Sequence, residues 1–254
     1  MCCFSRPVIS VSATRIFTRP GEGQRQFLVY SMSIEARGEL AMILPLPAQV
    51  PAGEAGVQFI DLKEYPEFFS DMEHGFPVPV TQDHSSHFGP VPASAAARPL
   101  PVLAVGSFEA SFVPAVSAFS RLDERFRLDP GVWQKLPGYE DYSFAVFKLK
   151  SGAMTVHPMA FSFPRRDPQK LFFPTVHIHD GKVHQSAEFD HVLYCQPRAD
   201  EHLAVRKWAE SYSHPANFMR VNKAKGIVLR DQHCYKREMK GRLPNRDTWL
   251  AVEA

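Results

Sequence analysis

No apolar run in the sequence approaches the roughly 18 residues that a membrane-spanning helix requires. No charged stretch followed by an apolar segment opens the chain, so no secretory leader is expected. Cysteine is scarce: Cys2, Cys3, Cys195 and Cys234 are the only four, and their spacing gives no disulfide framework. Free thiols in a reducing, cytoplasmic setting are the expectation. Charge of one sign is lacking too. The formal net charge is +2 over 254 residues, far from the basic bias of a dedicated nucleic-acid binder, so neither nucleic acid nor membrane is expected as a partner. A Gly-rich phosphate loop, a Gly-x-Ser-x-Gly elbow and a Cys-x-x-Cys pair are all missing. Glycine occurs only 14 times against 22 prolines, so segments start and stop abruptly.

What is present is a β-rich pattern. Residues 7–47 read as three strands: PVISVSATRIFTR alternates with a period of two, and RQFLVYSMSIEA and ELAMILPLP follow around a turn at Arg37-Gly38. Pro45 and Pro47 are expected to end the third, because proline cannot donate to a ladder. YPEFFSDMEHG reads as a short helix with Phe68, Phe69 and Met72 on one face and Gly75 as its stop. Residues 76–101, rich in Pro, Ser and Ala, read as a long loop and a boundary. Beyond it, LPVLAVGSFEASFVP, YSFAVFKLK, AMTVHPMAFSFP, KLFFPTVHIH and FDHVLYC resume the strands. DEHLAVRKWAESY carries Val205, Trp208, Ala209 and Tyr212 on one stripe and predicts an amphipathic helix that buries Trp208.

The expected fold is α+β, mainly antiparallel β-sheet with a few short helices. Residues 1–197 form the β-rich core, divisible into similar halves at 1–95 and 100–197, and 198–254 form a C-terminal helix and basic tail. The likeness of FLVYSMSIEARGELAMILPLP to SFAVFKLKSGAMTVHPMAFSFP suggests the two halves. From Glu201 to Ala254 there are eleven Lys and Arg against six Asp and Glu, so this end offers a contact for an acidic partner or a phosphate.

The stretches QFLVYSMSIEARGELAMILPLP, VGSFEASFVPAV, LPGYEDYSFAVFKLK and HPMAFSFP resemble an uncharacterised bacterial family, a domain of unknown function. Its pattern is a cysteine-containing start, a strand pair ending in LPxP, a VG strand and a GY…FxxxKL strand, over roughly residues 1–180. The resemblance implies no activity. Many members of that family carry a leader peptide, and none is expected here.

Three constellations could carry chemistry. In Thr175-Val176-His177-Ile178-His179-Asp180-Gly181-Lys182-Val183-His184, Asp-Gly between alternating runs predicts a hairpin with a two-residue turn. That register puts His177, His179 and His184 on one face, with Lys182, where three imidazoles suit zinc or copper. Glu188 and Asp190 are the nearest candidates to orient the rings. A solvated cross-strand pair, or a pH-sensitive or catalytic histidine, are the other readings of this face. The spacing His-x-His-x4-His is also similar to the first metal motif of cupins, without a second motif downstream. In the long loop, His84 and His87 have chelating spacing. At the start, removal of Met1 would leave Cys2 as an N-terminal nucleophile with its own amine as base, an opening similar to that of N-terminal-nucleophile amide hydrolases, with Arg6 or Arg15 as helpers. His191 and Cys195 share an apolar face and read as core. Three functions therefore stand open: a metal-binding protein, a cysteine-nucleophile hydrolase, and a non-catalytic binding or scaffold module.

Overall fold

The computed structural model describes residues 2–49, 56–76, 103–105, 108–128, 130–133 and 138–253. The first half supplies β1 (Cys2–Phe4), β2 (Ser10–Pro20), β3 (Arg25–Ala36), β4 (Leu40–Leu46), β5 (Gln58–Ile60), α1 (Phe68–His74), β6 (Leu103–Val105) and β7 (Phe108–Val113). After two 3₁₀ turns come α2 (Pro130–Trp133), β8 (Ser143–Leu149), β9 (Gly152–Pro164), β10 (Lys170–Phe173), β11 (His177–Ile178) and β12 (Ser186–Cys195). The chain ends through β13 (His202–Leu203), β14 (Ala209–Glu210), β15 (Tyr235–Pro244) and β16 (Thr248–Glu253). The fold is α+β and mainly antiparallel. One sheet runs β11-β1-β4-β8-β7-β6, a second β14-β15-β12-β2-β3-β9-β5, and a small third β10-β16-β13.

Side-chain alternation explains the layering. On β4, Met42, Leu44 and Leu46 join Leu28, Tyr30 and Phe161 of the larger sheet in one core, so the two large sheets pack face to face. The alternate residues Ala41 and Ile43, with Phe144 and Val146 of β8, meet Phe119, Leu122 and Val132 of the short helical turns. On the larger sheet, Phe17, Val29 and Tyr194 point the other way and meet Phe68, Phe69 and Met72 of α1. The central strands of both large sheets are thus covered on both faces. That is why LAMILPL reads as one continuous apolar run instead of alternating.

Two prolines sit inside strands for local reasons. Pro158 of β9 lies where the register with β3 shifts between Tyr30 and Met32, a bulge that needs no ladder bond from it. Pro45, expected to end its strand, pairs instead with Phe144 inside β4. On the other side β1 reaches only Met42 and Ile43, so the missing N–H of Pro45 costs no bond there. A second bulge, in β2 between Ser12 and Arg15, puts Ala13 at φ 51°.

Residues 198–254 are neither a helix nor a tail. The predicted helix over 200–212 is replaced by β13, a turn, and β14. Trp208 still reaches the core, packing on Phe173 at 5.7 Å, but from irregular backbone. The basic segment beyond folds into β15, which pairs with β12 from Ser186↔Pro244 to Cys195↔Tyr235. Of the predicted stripe, Val205 and Trp208 pack on the core, while Ala209 and Tyr212 are exposed. Apolar spacing of three and four does not distinguish a helix from a segment pinned at a few points by packing.

Candidate functional site

The histidine segment does not form the expected hairpin. His177 and Ile178 pair in parallel with Cys2 and Cys3 of β1, 175 residues earlier in the chain. A type I′ turn needs positive φ at both central residues. Gly181 has φ 75°, but Asp180 is not among the residues with positive φ. The Asp180 side chain instead accepts a bond from the Lys182 amide at 3.0 Å, a local turn that competes with strand pairing. The open edge of β11 is closed by a side chain. Asn245 accepts from the His177 amide at 2.7 Å and donates to the carbonyls of His177 (2.9 Å) and His184 (3.0 Å).

Alternation along β11 sends Ile178 to the outer core and His177 and His179 inward, between the sheets. There they meet His191 of β12, which shares a face with Leu193 and Cys195. Three imidazoles stack: His179 on His177 at 4.7 Å and 26°, and His177 on His191 at 4.6 Å and 25°. Phe4 borders one end at 5.5 Å from His179, and Phe189 lies 4.5 Å from His177. His177 is 9% exposed and His191 1%.

Nε2 of His177 and Nε2 of His191 are 2.9 Å apart, so one donates and the other accepts. Nδ1 of His191 lies 3.6 Å from the Asp190 carboxylate, which favours a proton on that nitrogen. His191 Nε2 is then the acceptor and His177 Nε2–H the donor. Asp190 is itself anchored by the Ala13 amide at 2.5 Å, presented by the β2 bulge. All three imidazoles are held neutral. Burial, then the neighbouring His191, lowers His177 to about 2. Burial, then His191, lowers His179 to about 4. Burial also lowers His191, against the pull of Asp190.

The predicted metal face is corrected by this arrangement. His184 stands apart and exposed, its Nε2 2.9 Å from Asp180 Oδ2. Nε2 of His177 and Nε2 of His191 are spent on each other, and the Nε2 of His184 is turned away to Asp180. Among the described residues no group of three or more His, Cys, Asp or Glu is placed to hold a metal ion, and His184 does not join His177 and His179. Cys2 is placed by its backbone alone, in register with His177. His84 and His87 lie outside the described residues. Cys3, Cys195 and Cys234 are buried, and burial pushes the thiols of Cys195 and Cys234 up, away from the reactive thiolate. His191 reads as core from the sequence, but its partner His177 does not, because a contact from one sheet to another leaves no local periodicity.

No protein-family model matches the sequence, and no curated protein matches it. Among solved structures, that of baculovirus P35 superposes over 100% of both chains with a TM-score of 0.51 and 13% identity. The chain has the fold of baculovirus P35. P35 in the caspase-8/P35 complex matches over 95% of this chain and 96% of its own, with a TM-score of 0.48 and 12% identity. A mutated baculovirus P35 after caspase cleavage matches over 95% and 100%, with a TM-score of 0.47 and 14% identity. No helix among the described residues is long and apolar enough to cross a membrane.

Proposed function

We propose that the chain is a non-catalytic binding module that forms a complex with a cysteine protease of the caspase kind and withholds that protease from other substrates. The observation that carries this reading is the full-length likeness in fold to baculovirus P35, a protein seen in complex with caspase-8. Two features of the chain support it. The buried histidine stack is neutral and closed by Phe4 and Phe189, so it braces two sheets instead of facing a substrate. The central strands of both large sheets are covered on both faces, which gives a rigid frame from which loops can engage a partner.

The experiment mixes the purified chain with active caspase-8, separates the products by gel filtration, and weighs each by intact mass spectrometry. A stoichiometric complex, with the chain whole or cut once, is the expected result. Separate elution of both proteins, or a chain degraded without any complex, would overturn the proposal.

A further inference from the structure

We propose that the free edge of β15, with the aromatic groove beside it, is a docking site for an acidic, extended peptide segment of a partner protein. This goes beyond the protease reading and rests on different residues. The groove encloses about 700 Å³ between β15, β16 and the turn carrying Tyr139 and Tyr142. Trp249 forms part of its wall, 42% exposed, with its ring backed by Phe172 at 4.8 Å. Tyr139 and Tyr142 meet edge to face at 4.8 Å. From β15, the half-buried Met239 and Leu243 complete an apolar floor.

The charge of the groove is positive. Among the described residues Asp247 is the one carboxylate lining it, and its oxygens are committed. Oδ1 accepts from the Thr175 amide (2.9 Å) and the Val176 amide (3.0 Å), and Oδ2 from the Tyr139 hydroxyl at 2.5 Å. Arg237 and Arg246 also line the groove, both exposed, and neither has a carboxylate partner among the described residues. Elsewhere Arg125, Arg166, Arg198 and Arg220 each have a carboxylate within 3.0 Å. Two unpaired guanidinium groups beside exposed aromatic rings match carboxylates flanking an apolar side chain.

The backbone supplies the second half of the site. β15 pairs with β12 along one edge over its full length, but along the other β14 reaches only Tyr235 and Lys236. Among the described residues no strand covers that edge from Arg237 to Pro244. An edge with unpaired N–H and C=O groups is the template for strand addition. On β15 Glu238 is taken up by Lys236 and Lys240, which leaves Arg237 and Arg242 to repel a second basic edge and favour an acidic strand. A peptide is favoured over single-stranded nucleic acid because the chain's net charge is only +2 and the floor of Met239 and Leu243 suits aliphatic side chains.

The test uses a fluorescein-labelled peptide, Glu-Leu-Glu-Phe-Glu-Leu-Glu, with its all-Gln counterpart and a labelled ten-nucleotide oligouridylate as controls. Saturable binding of the acidic peptide below about 1 mM is expected, weakening as salt rises. The double variant Arg237→Glu/Arg246→Glu should bind at least about tenfold more weakly. Trp249→Ala should weaken binding without changing its salt dependence. Hydrogen exchange on the unmodified chain should show the 237–244 amides slowed by the peptide, a readout that needs no variant to fold. Failure of the acidic peptide to saturate, equal binding of the Gln peptide, tighter binding of oligouridylate, or exchange protection elsewhere would each overturn the proposal. None of these outcomes bears on caspase binding.

Discussion

His177 and His191 share a single hydrogen bond between their Nε2 atoms, 2.9 Å long, across the gap between the two large sheets. It is a polar contact inside an apolar core, and it is satisfied only while at least one of the two Nε2 atoms carries no proton. A proton on both nitrogens would set two donors against each other in a site without water-facing alternatives.

Acid sensitivity follows. In the unfolded chain imidazoles take up protons near pH 6.5. In the folded chain His179 does so only near pH 4 and His177 near pH 2, and His191 is lowered as well. Between these limits the unfolded state binds more protons, so stability falls as pH falls. Each buried imidazole contributes a slope of up to about 1.4 kcal/mol per pH unit. Urea melts at pH 7.5, 6 and 5, values chosen to span that window, should show little change above about pH 7 and a steepening loss below pH 6.5. His177→Gln should make that loss shallower.

Asn245 substitutes for the strand that β11 lacks. Asn245→Ala removes the acceptor for the His177 amide and the donor to two carbonyls. The expected loss is about 2–3 kcal/mol, since orphaned backbone groups cost more than the bonds they made. Asn245→Asp keeps the acceptor and loses the donors, so it should fall between. Chemical denaturation of the three proteins checks the order.

Gly75 ends α1 at φ −71°, a conformation open to any residue. Its constraint is contact: a Cβ there would lie 2.5 Å from the Phe218 ring. Gly75→Ala should therefore cost about 1–3 kcal/mol by overpacking. Adding Phe218→Leu should restore part of that, a coupling that thermal melts of both variants would reveal.

Much of the fold is legible in the sequence where the reason is local. The run Arg25–Ala36 reads as a strand and is one, because alternation and flanking turns fix it. Helix α1 reads correctly from Phe68, Phe69, Met72 and Gly75. The failures are contacts between distant residues. Nothing near His177 announces Cys2 as its neighbour or Asn245 as its clamp. The Asp180-Gly181 pair signals a turn, and a turn is there, but the side chain of Asp180 takes the bond that a hairpin would have used. Trp208 finds the core without a helix because burial of its ring on Phe173 decides its place and local periodicity does not. The groove escaped notice because Tyr139, Arg237 and Trp249 come together only through the sheets.

A P35-like chain that binds a caspase and withholds it, as proposed above, should silence that enzyme in solution. The most direct measurement titrates the chain against active caspase-8 hydrolysing a fluorogenic peptide. The account predicts a rate that falls in proportion to added chain and vanishes at a stoichiometric amount. An undiminished rate at a large excess of folded chain would contradict it.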